Sequence, residues 1–144
     1  MSLSHIFNVA GSGMNAQSVR LNTTASNIAN AESASSSIDQ VYRGRHPVFA
    51  AIQSSFMGDG FDLTQKEETV GVEVMGIVES DAPLQKRYEP THPQADQEGY
   101  VYYPNINIVE EMTNMISASR SFQVNVEVMN SAKQMVQRVL TLGQ

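Results

Sequence analysis

The chain has 144 residues, of which 41% are hydrophobic and 17% charged, with a formal net charge of −6. That length suits one ordinary domain, or a small domain with an elongated appendage, and excludes two full enzymatic domains. The acidic balance argues against a nucleic-acid binder, since neutralising phosphates needs a basic face, and the absence of cysteine excludes disulfides, thiolate metal sites and thiol nucleophiles.

The first segment, residues 1–32, places Phe7, Met14, Leu21 and Ile28 on a strict seven-residue step. This is the spacing of a helix with one seam turned toward another helix. Gln17 and Thr24 stand where a strong coiled coil would carry Leu or Val, and Gly11 and Gly13 lower the helix propensity further. Such a helix is marginal alone. Gly11-Ser12-Gly13 lacks the preceding strand and following Lys of a phosphate loop, and reads as flexibility near a helix start.

The middle changes character. Residues 33–37 read as a loop, and Val41 to Ile52 as extended structure broken at Pro47. Gly58-Asp59-Gly60 is a turn signal. Val70 to Glu79 alternates like a half-buried strand. Weaker strand candidates follow at Leu84 to Tyr88 and Gly99 to Tyr103, separated by a turn over Pro90 to Pro93. The charge also sits here: residues 1–32 and 108–144 are each neutral, leaving eleven acids against five bases between them.

The last segment carries the stronger helical pattern. Ile108, Met115, Phe122, Met129 and Val136 repeat every seven residues, with Met112, Val126 and Leu140 on the interleaved row. Asn107 with Glu110 predicts an N-terminal cap, Pro104 bars an earlier start, and Gly143 predicts the stop. One helix of roughly 34 residues follows, on the order of 50 Å long. Val109, Ile116, Val124, Val128 and Val139 lie off its main seam, and one short partner helix cannot bury them all.

The expected fold is therefore α+β. Long N- and C-terminal helices pair as a coiled coil and bracket a small β-rich insert. Residues 1–32 and 105–144 would form the core domain and 33–104 the insert. No apolar run approaches the roughly 18 residues of a membrane span, and the N-terminus lacks the Lys/Arg-flanked apolar core of a cleaved signal peptide.

Little in the sequence promises chemistry. His5, His46 and His92 lack partners at metal-ligand spacing. Glu67, Glu68, Glu79 and Asp81 read as solvated loop and strand faces rather than a general acid and base. The sequon Asn22-Thr23-Thr24 falls inside the first helix. The methionines between Met112 and Met135 sit at helical spacing, so packing explains them better than a promiscuous binding groove. Expected are no catalytic residues, no cofactor and no metal. The residues alone leave three readings open: a self-assembling structural subunit, a soluble coiled-coil adaptor or chaperone presenting its long helix to a partner, and, least favoured, a small hydrolase drawing Ser, His and Asp from scattered positions.

Ala25-Ser26-Asn27-Ile28-Ala29-Asn30 resembles the Ala-Asn-Asn-Leu-Ala-Asn motif that closes the N-terminal helix of bacterial flagellar axial proteins. The stretches Tyr42 to Phe49, Gly71 to Val78, Tyr88-Glu89-Pro90 with His92 to Asp96, Gly99 to Asn105, and Val109 to Met112 through Ser119 to Val128 are similar to the proximal rod proteins of the flagellar basal body. The resemblance runs in order along nearly the whole chain, with residues 33–40 and 53–69 least characteristic. It implies a structural rod subunit exported by the flagellar type III apparatus without cleavage, crossing the periplasm and transmitting torque. It further implies terminal helices that form an inner tube, an insert facing neighbouring subunits, and the partners FlgB, FlgF, FlgG and the basal adaptor FliE.

Overall fold

The computed structural model describes residues 3–53 and 69–142. The turn expected at Gly58-Asp59-Gly60, the Glu67 and Glu68 pair and the stop at Gly143 lie outside the described residues. Helix α1 spans Leu3–Asn30 and helix α2 spans Ile108–Leu142, about 42 and 52 Å long at the α-helical rise. Between them come a 3₁₀ turn at Ile38–Gln40 and four strands: β1 (Arg45–Gln53), β2 (Thr69–Glu79), β3 (Gln85–Tyr88) and β4 (Tyr100–Tyr103). The class is α+β, with two helices bracketing two small antiparallel sheets.

The start of α2 and the end of α1 are fixed by local hydrogen bonds. At the start of α2, Asn107 Oδ1 accepts the Val109 N–H at 3.1 Å, and the Asn107 carbonyl accepts the Glu111 N–H at 3.0 Å. Asn107 is thus the N-cap, and the carboxylates of Glu110 and Glu111 lie in the first turn, where the helix dipole favours them. At the end of α1, Asn30 Nδ2 donates back to the Ser26 carbonyl at 2.8 Å, and Ser33 Oγ donates to the Asn30 carbonyl at 2.7 Å. The second bond occupies one of the last-turn carbonyls that the terminating helix leaves without an intrahelical partner.

The helices lie antiparallel. Asn27 meets Glu111, Arg20 donates to Asn114 Oδ1 at 2.9 Å, and Gly13 lies against Asn125. Their innermost residues are Ala10, Ala16, Thr23, Thr24 and Asn27 on α1 and Glu111, Ala118 and Ala132 on α2. These side chains are small or polar, and the larger heptad residues flank them.

The β1–β2 ribbon packs on α1 and, among the described residues, is joined to no third strand. Pro47 does not break β1, as the sequence suggested; it pairs with Ile77 inside a continuous strand. A two-stranded sheet has only edge strands, and an edge tolerates a residue without an N–H. The register shifts between Val48 and Phe49, so Met75 has no pairing partner across the ribbon and the ribbon bends there. Strand β2 forms as expected but is less covered than its alternation implied. Met75 is 72% exposed and Ile77 53%.

The second sheet pairs Gln85 with Tyr103 and Tyr88 with Tyr100, and Ser35 adds a bridge to Tyr102, so the expected loop at 33–37 is partly tied down. Cations cover its tyrosines: Lys86 Nζ sits 3.8 Å from the Tyr100 ring centroid and the Arg87 guanidinium 4.6 Å from that of Tyr103. Tyr88 meets Tyr100 edge-on at 5.3 Å. Tyr103 OH donates to Glu89 Oε2 at 3.1 Å. Gly99 takes φ +81° to close the connecting loop, a conformation costly for other residues.

Candidate assembly interface

Among the described residues, the side chain with the most hydrogen bonds belongs to Asn27, which is fully buried. Its Oδ1 accepts from Tyr42 OH at 3.0 Å and from the Arg45 N–H at 2.9 Å. Its Nδ2 donates to the Arg45 carbonyl at 2.8 Å and to Glu111 Oε2 at 3.0 Å. An asparagine amide has two donor and two acceptor positions, so all four are filled. One side chain therefore ties the last turns of α1, the first residue of β1 and the first turn of α2 into a single joint. Within the joint, burial pushes the Tyr42 phenol above its ordinary value, the neighbouring Arg45 opposes that shift, and Glu111 and Glu79 add to it.

A second amide works beside the first. Asn105 Oδ1 accepts the Gly44 N–H at 2.9 Å, while its Nδ2 donates to the carbonyls of Ser80 and Ala82 at 3.1 and 2.8 Å. Ser80 N–H donates to the Gly44 carbonyl at 2.7 Å. Arg45 and Glu79 close the base of the ribbon with an ion pair at 3.0 Å, each about half exposed. At that exposure the pair contributes little stability of its own.

The other end of the ribbon is docked at Gly11-Ser12-Gly13. Ser12 Oγ donates to the Val9 carbonyl at 2.8 Å and accepts the Val72 N–H at 3.1 Å. Gly71 crosses there with φ +152°, and a Cβ on it would collide with Ser12. Toward α2, a Cβ on Gly13 would lie 2.9 Å from Asn125 Nδ2. The segment read as flexible is instead helical and closely approached at Ser12 and Gly13, where small residues are needed, whereas a Cβ on Gly11 would meet nothing within 4 Å.

The expected packing residues occupy a definite zone. Phe7, Met14, Leu21 and Ile28 on α1 are half-buried, as are Ile108, Met115, Phe122, Val126, Met129 and Val136 on α2. Met112 and Leu140 are 51% and 66% exposed. The heptad residues thus border the buried line and retain accessible apolar area. Of the motif residues, Asn27 is buried, Ile28 and Asn30 are half-buried, and Ala25, Ser26 and Ala29 are exposed. Sequence reasoning missed Glu111, Tyr42 and Asn105. Asn105 could have been suspected from its place between Pro104 and the capped start of α2.

No three His, Asp or Glu side chains among the described residues gather at metal-binding distance, and none of the described helices is long and apolar enough to cross a membrane. His5 is half-buried in α1, His46 is exposed on β1, and His92 Nδ1 accepts the Gln94 N–H within the turn.

Residues 7–32 match the family model described as flagella basal body rod protein. Residues 97–142 match the one described as the C-terminal region of the flagellar basal body rod FlgEFG proteins. Paired terminal helices carrying these two matches define a flagellar basal-body rod protein. The chain is 46% identical to the flagellar basal-body rod protein FlgC of Salmonella typhimurium, with all of both chains covered. The FlgC of Yersinia enterocolitica is also 46% identical over the whole of both chains, and that of Borreliella burgdorferi is 36% identical over all of this chain and 99% of its own. The chain belongs to the FlgC family. It is a structural rod protein and not an enzyme, and the adaptor reading draws no support from these relatives.

Proposed function

We propose that the chain is a structural subunit of the flagellar basal-body rod that polymerises into a helical tubular drive shaft and transmits torque across the periplasm. The observation that carries this reading is the apolar surface a single copy leaves uncovered. Val109, Met112, Ile116, Val124, Met135, Val139 and Leu140 on α2 are each more than half exposed, in a chain matched end to end by rod proteins. Exposed apolar side chains on that scale mark interaction sites, and contacts that do not close on themselves give filaments.

In this reading residues 1–32 and 105–144 make a core domain whose helices pack as a coiled coil around the export channel. The flanking heptad residues from Phe7 to Ile28 and from Ile108 to Leu140 supply the packing between helices and subunits. Residues 33–104 form the outer insert. The subunit leaves the cytoplasm through the flagellar type III apparatus with no cleaved signal peptide and meets FlgB, FlgF, FlgG and FliE as neighbours. The neutrality of both helical segments supports a core from which the net charge is excluded.

The test replaces the native copy with Phe122→Asp in a flagellated strain. A charge on the half-buried seam should abolish incorporation into purified basal bodies and swimming, while the wild-type copy restores both. Normal swimming with the variant as the sole copy would overturn the reading.

A further inference from the structure

The β1–β2 ribbon is fastened to the rest of the chain unequally at its two ends. At the base, the Arg45 N–H and carbonyl bond the buried Asn27 amide at 2.9 and 2.8 Å. Asn105 holds the Gly44 N–H at 2.9 Å and the Ser80 carbonyl at 3.1 Å, and the Ser80 N–H donates to the Gly44 carbonyl at 2.7 Å. Val41 and Gly44, just before β1, are buried. Beyond Met75 the attachment is thin. Among the described residues, one hydrogen bond joins that part of the ribbon to α1, the Val72 N–H donating to Ser12 Oγ at 3.1 Å in an exposed position. Phe49, Ile52 and Val72 are each more than a third exposed, so apolar burial adds little to that bond. Of residues 49–52 and 71–75, only Gly71 is buried, where it crosses Ser12 too closely for a Cβ.

Between the two ends the ladder is interrupted. The register shifts between Val48 and Phe49, which leaves Met75 without a partner across the ribbon, and Gly76 follows it. A bulge disrupts the ladder locally and lets the strand bend, and glycine resists changes in φ and ψ least. Residues of an antiparallel pair alternate between bonding across the ladder and facing outward. Val72 faces outward to Ser12, so Glu73 and the opposed Ala50 bond each other across the ladder. Those bonds do not depend on α1.

We propose that residues 49–52 and 71–74 form a strap that releases from Ser12 and swings on the Met75–Gly76 bulge as a paired unit, while the base stays locked to Asn27 and Asn105. Release exchanges the Val72–Ser12 bond for bonds to water at small net cost, so both positions are populated. The helix pair, latched at Asn27 below the pivot, does not take part. In the rod reading, this motion re-aims the outer part of the insert toward a neighbour without disturbing the core.

Hydrogen exchange on the free full-length chain tests the strap apart from the rod reading. The Val72 amide should exchange at least about tenfold faster than the Arg45 amide, with Ala50 and Glu73 slower than Val72. Ser12→Ala, which keeps a good helix former in α1, should speed Val72 about fivefold and leave Ala50, Glu73 and Arg45 within about twofold. Val72 as slow as Arg45, Val72 unmoved by Ser12→Ala, or all four amides accelerated alike would each overturn the proposal. The chain has no cysteine, so spin labels on introduced pairs measure the motion directly. Gly11→Cys with Glu73→Cys reports the strap, since a side chain at Gly11 has open space and Glu73 is exposed; two distance populations are expected. Asn22→Cys with His46→Cys, both exposed, reports the base, and one narrow distance is expected. A single narrow distance from Gly11 to Glu73 would show a strap that never leaves α1 and would sink the idea.

Discussion

Replacing Asn27 with aspartate changes one atom type in the joint that holds α1, α2 and the ribbon together. The substitution keeps Oδ1, so the bonds from Tyr42 OH and the Arg45 N–H survive. It turns Nδ2 from a donor into a second oxygen facing the Arg45 carbonyl at 2.8 Å and Glu111 Oε2 at 3.0 Å. Two acceptors then lack their donor, and two carboxylates lie about 3 Å apart in a buried site, where they cannot both ionise. Each buried group left without its partner costs about 1–3 kcal/mol, more where it is charged. The expected loss is therefore about 3–5 kcal/mol, a large share of the 5–15 kcal/mol that keeps a typical domain folded. The measurement is urea unfolding of the full chain followed by far-UV circular dichroism, with hydrogen exchange at the Arg45 amide as a local probe.

The pH dependence identifies the cause. A proton shared by the introduced carboxylate and Glu111 binds more tightly in the folded state, so the folded pKa of the pair is raised. The variant then keeps more of its stability in mild acid and loses it as pH rises through that value. Its deficit relative to wild type should shrink from about pH 7 to about pH 5. Pairing N27D with Glu111→Gln supplies a new amide donor and should recover at least about 1 kcal/mol, although the Arg45 carbonyl stays unmatched. If N27D unfolds within about 0.5 kcal/mol of wild type at pH 7, the four-bond joint does not hold the chain together as argued.

Tyr42→Phe removes the phenol that donates to Asn27 Oδ1 and should cost about 1 kcal/mol. Because burial raises the Tyr42 pKa above its ordinary 10.0, the neutral phenol's contribution is present below pH 10 and is lost as pH climbs toward the folded value. The Phe variant should show a flatter alkaline decline in chemical denaturation. Gly99→Ala forces φ +81° on a residue with a Cβ and sets that atom 3.0 Å from the Tyr88 ring. Destabilisation of about 1–2 kcal/mol is expected, read from the same unfolding curves. Gly13→Val pushes a branched side chain into Asn125 and should cost about 1–3 kcal/mol by overpacking, with faster exchange at amides of both helices around that level.

The elements were legible because their signals are local. Asn107 capped α2 as its sequence context indicated, and the seven-residue step from Ile108 to Val136 required a helix of that length. The weaker strand candidates at Leu84 to Tyr88 and Gly99 to Tyr103 formed β3 and β4. The packing between elements was less legible because hydropathy singles out large residues. Where the helices touch most closely they use Gly13, Arg20 and Asn27 on one seven-residue row, and Glu111, Ala118 and Asn125 on the other. Only Ala118 among these is apolar, and it is small, so the larger heptad residues beside them carried the stronger hydropathy signal.

That difference has a physical consequence for a chain of this family. Helices joined through small residues approach closely and spend little of their large apolar surface on each other. Specificity between them comes instead from a saturated amide, because a shifted register would leave the Asn27 and Glu111 side chains buried without partners. Phe122, Met115 and their neighbours keep apolar area free along both borders of the seam. A subunit whose own pairing rested on that area would have less to offer a neighbour, whereas one latched by a single asparagine keeps its largest side chains available for the neighbour contacts proposed above.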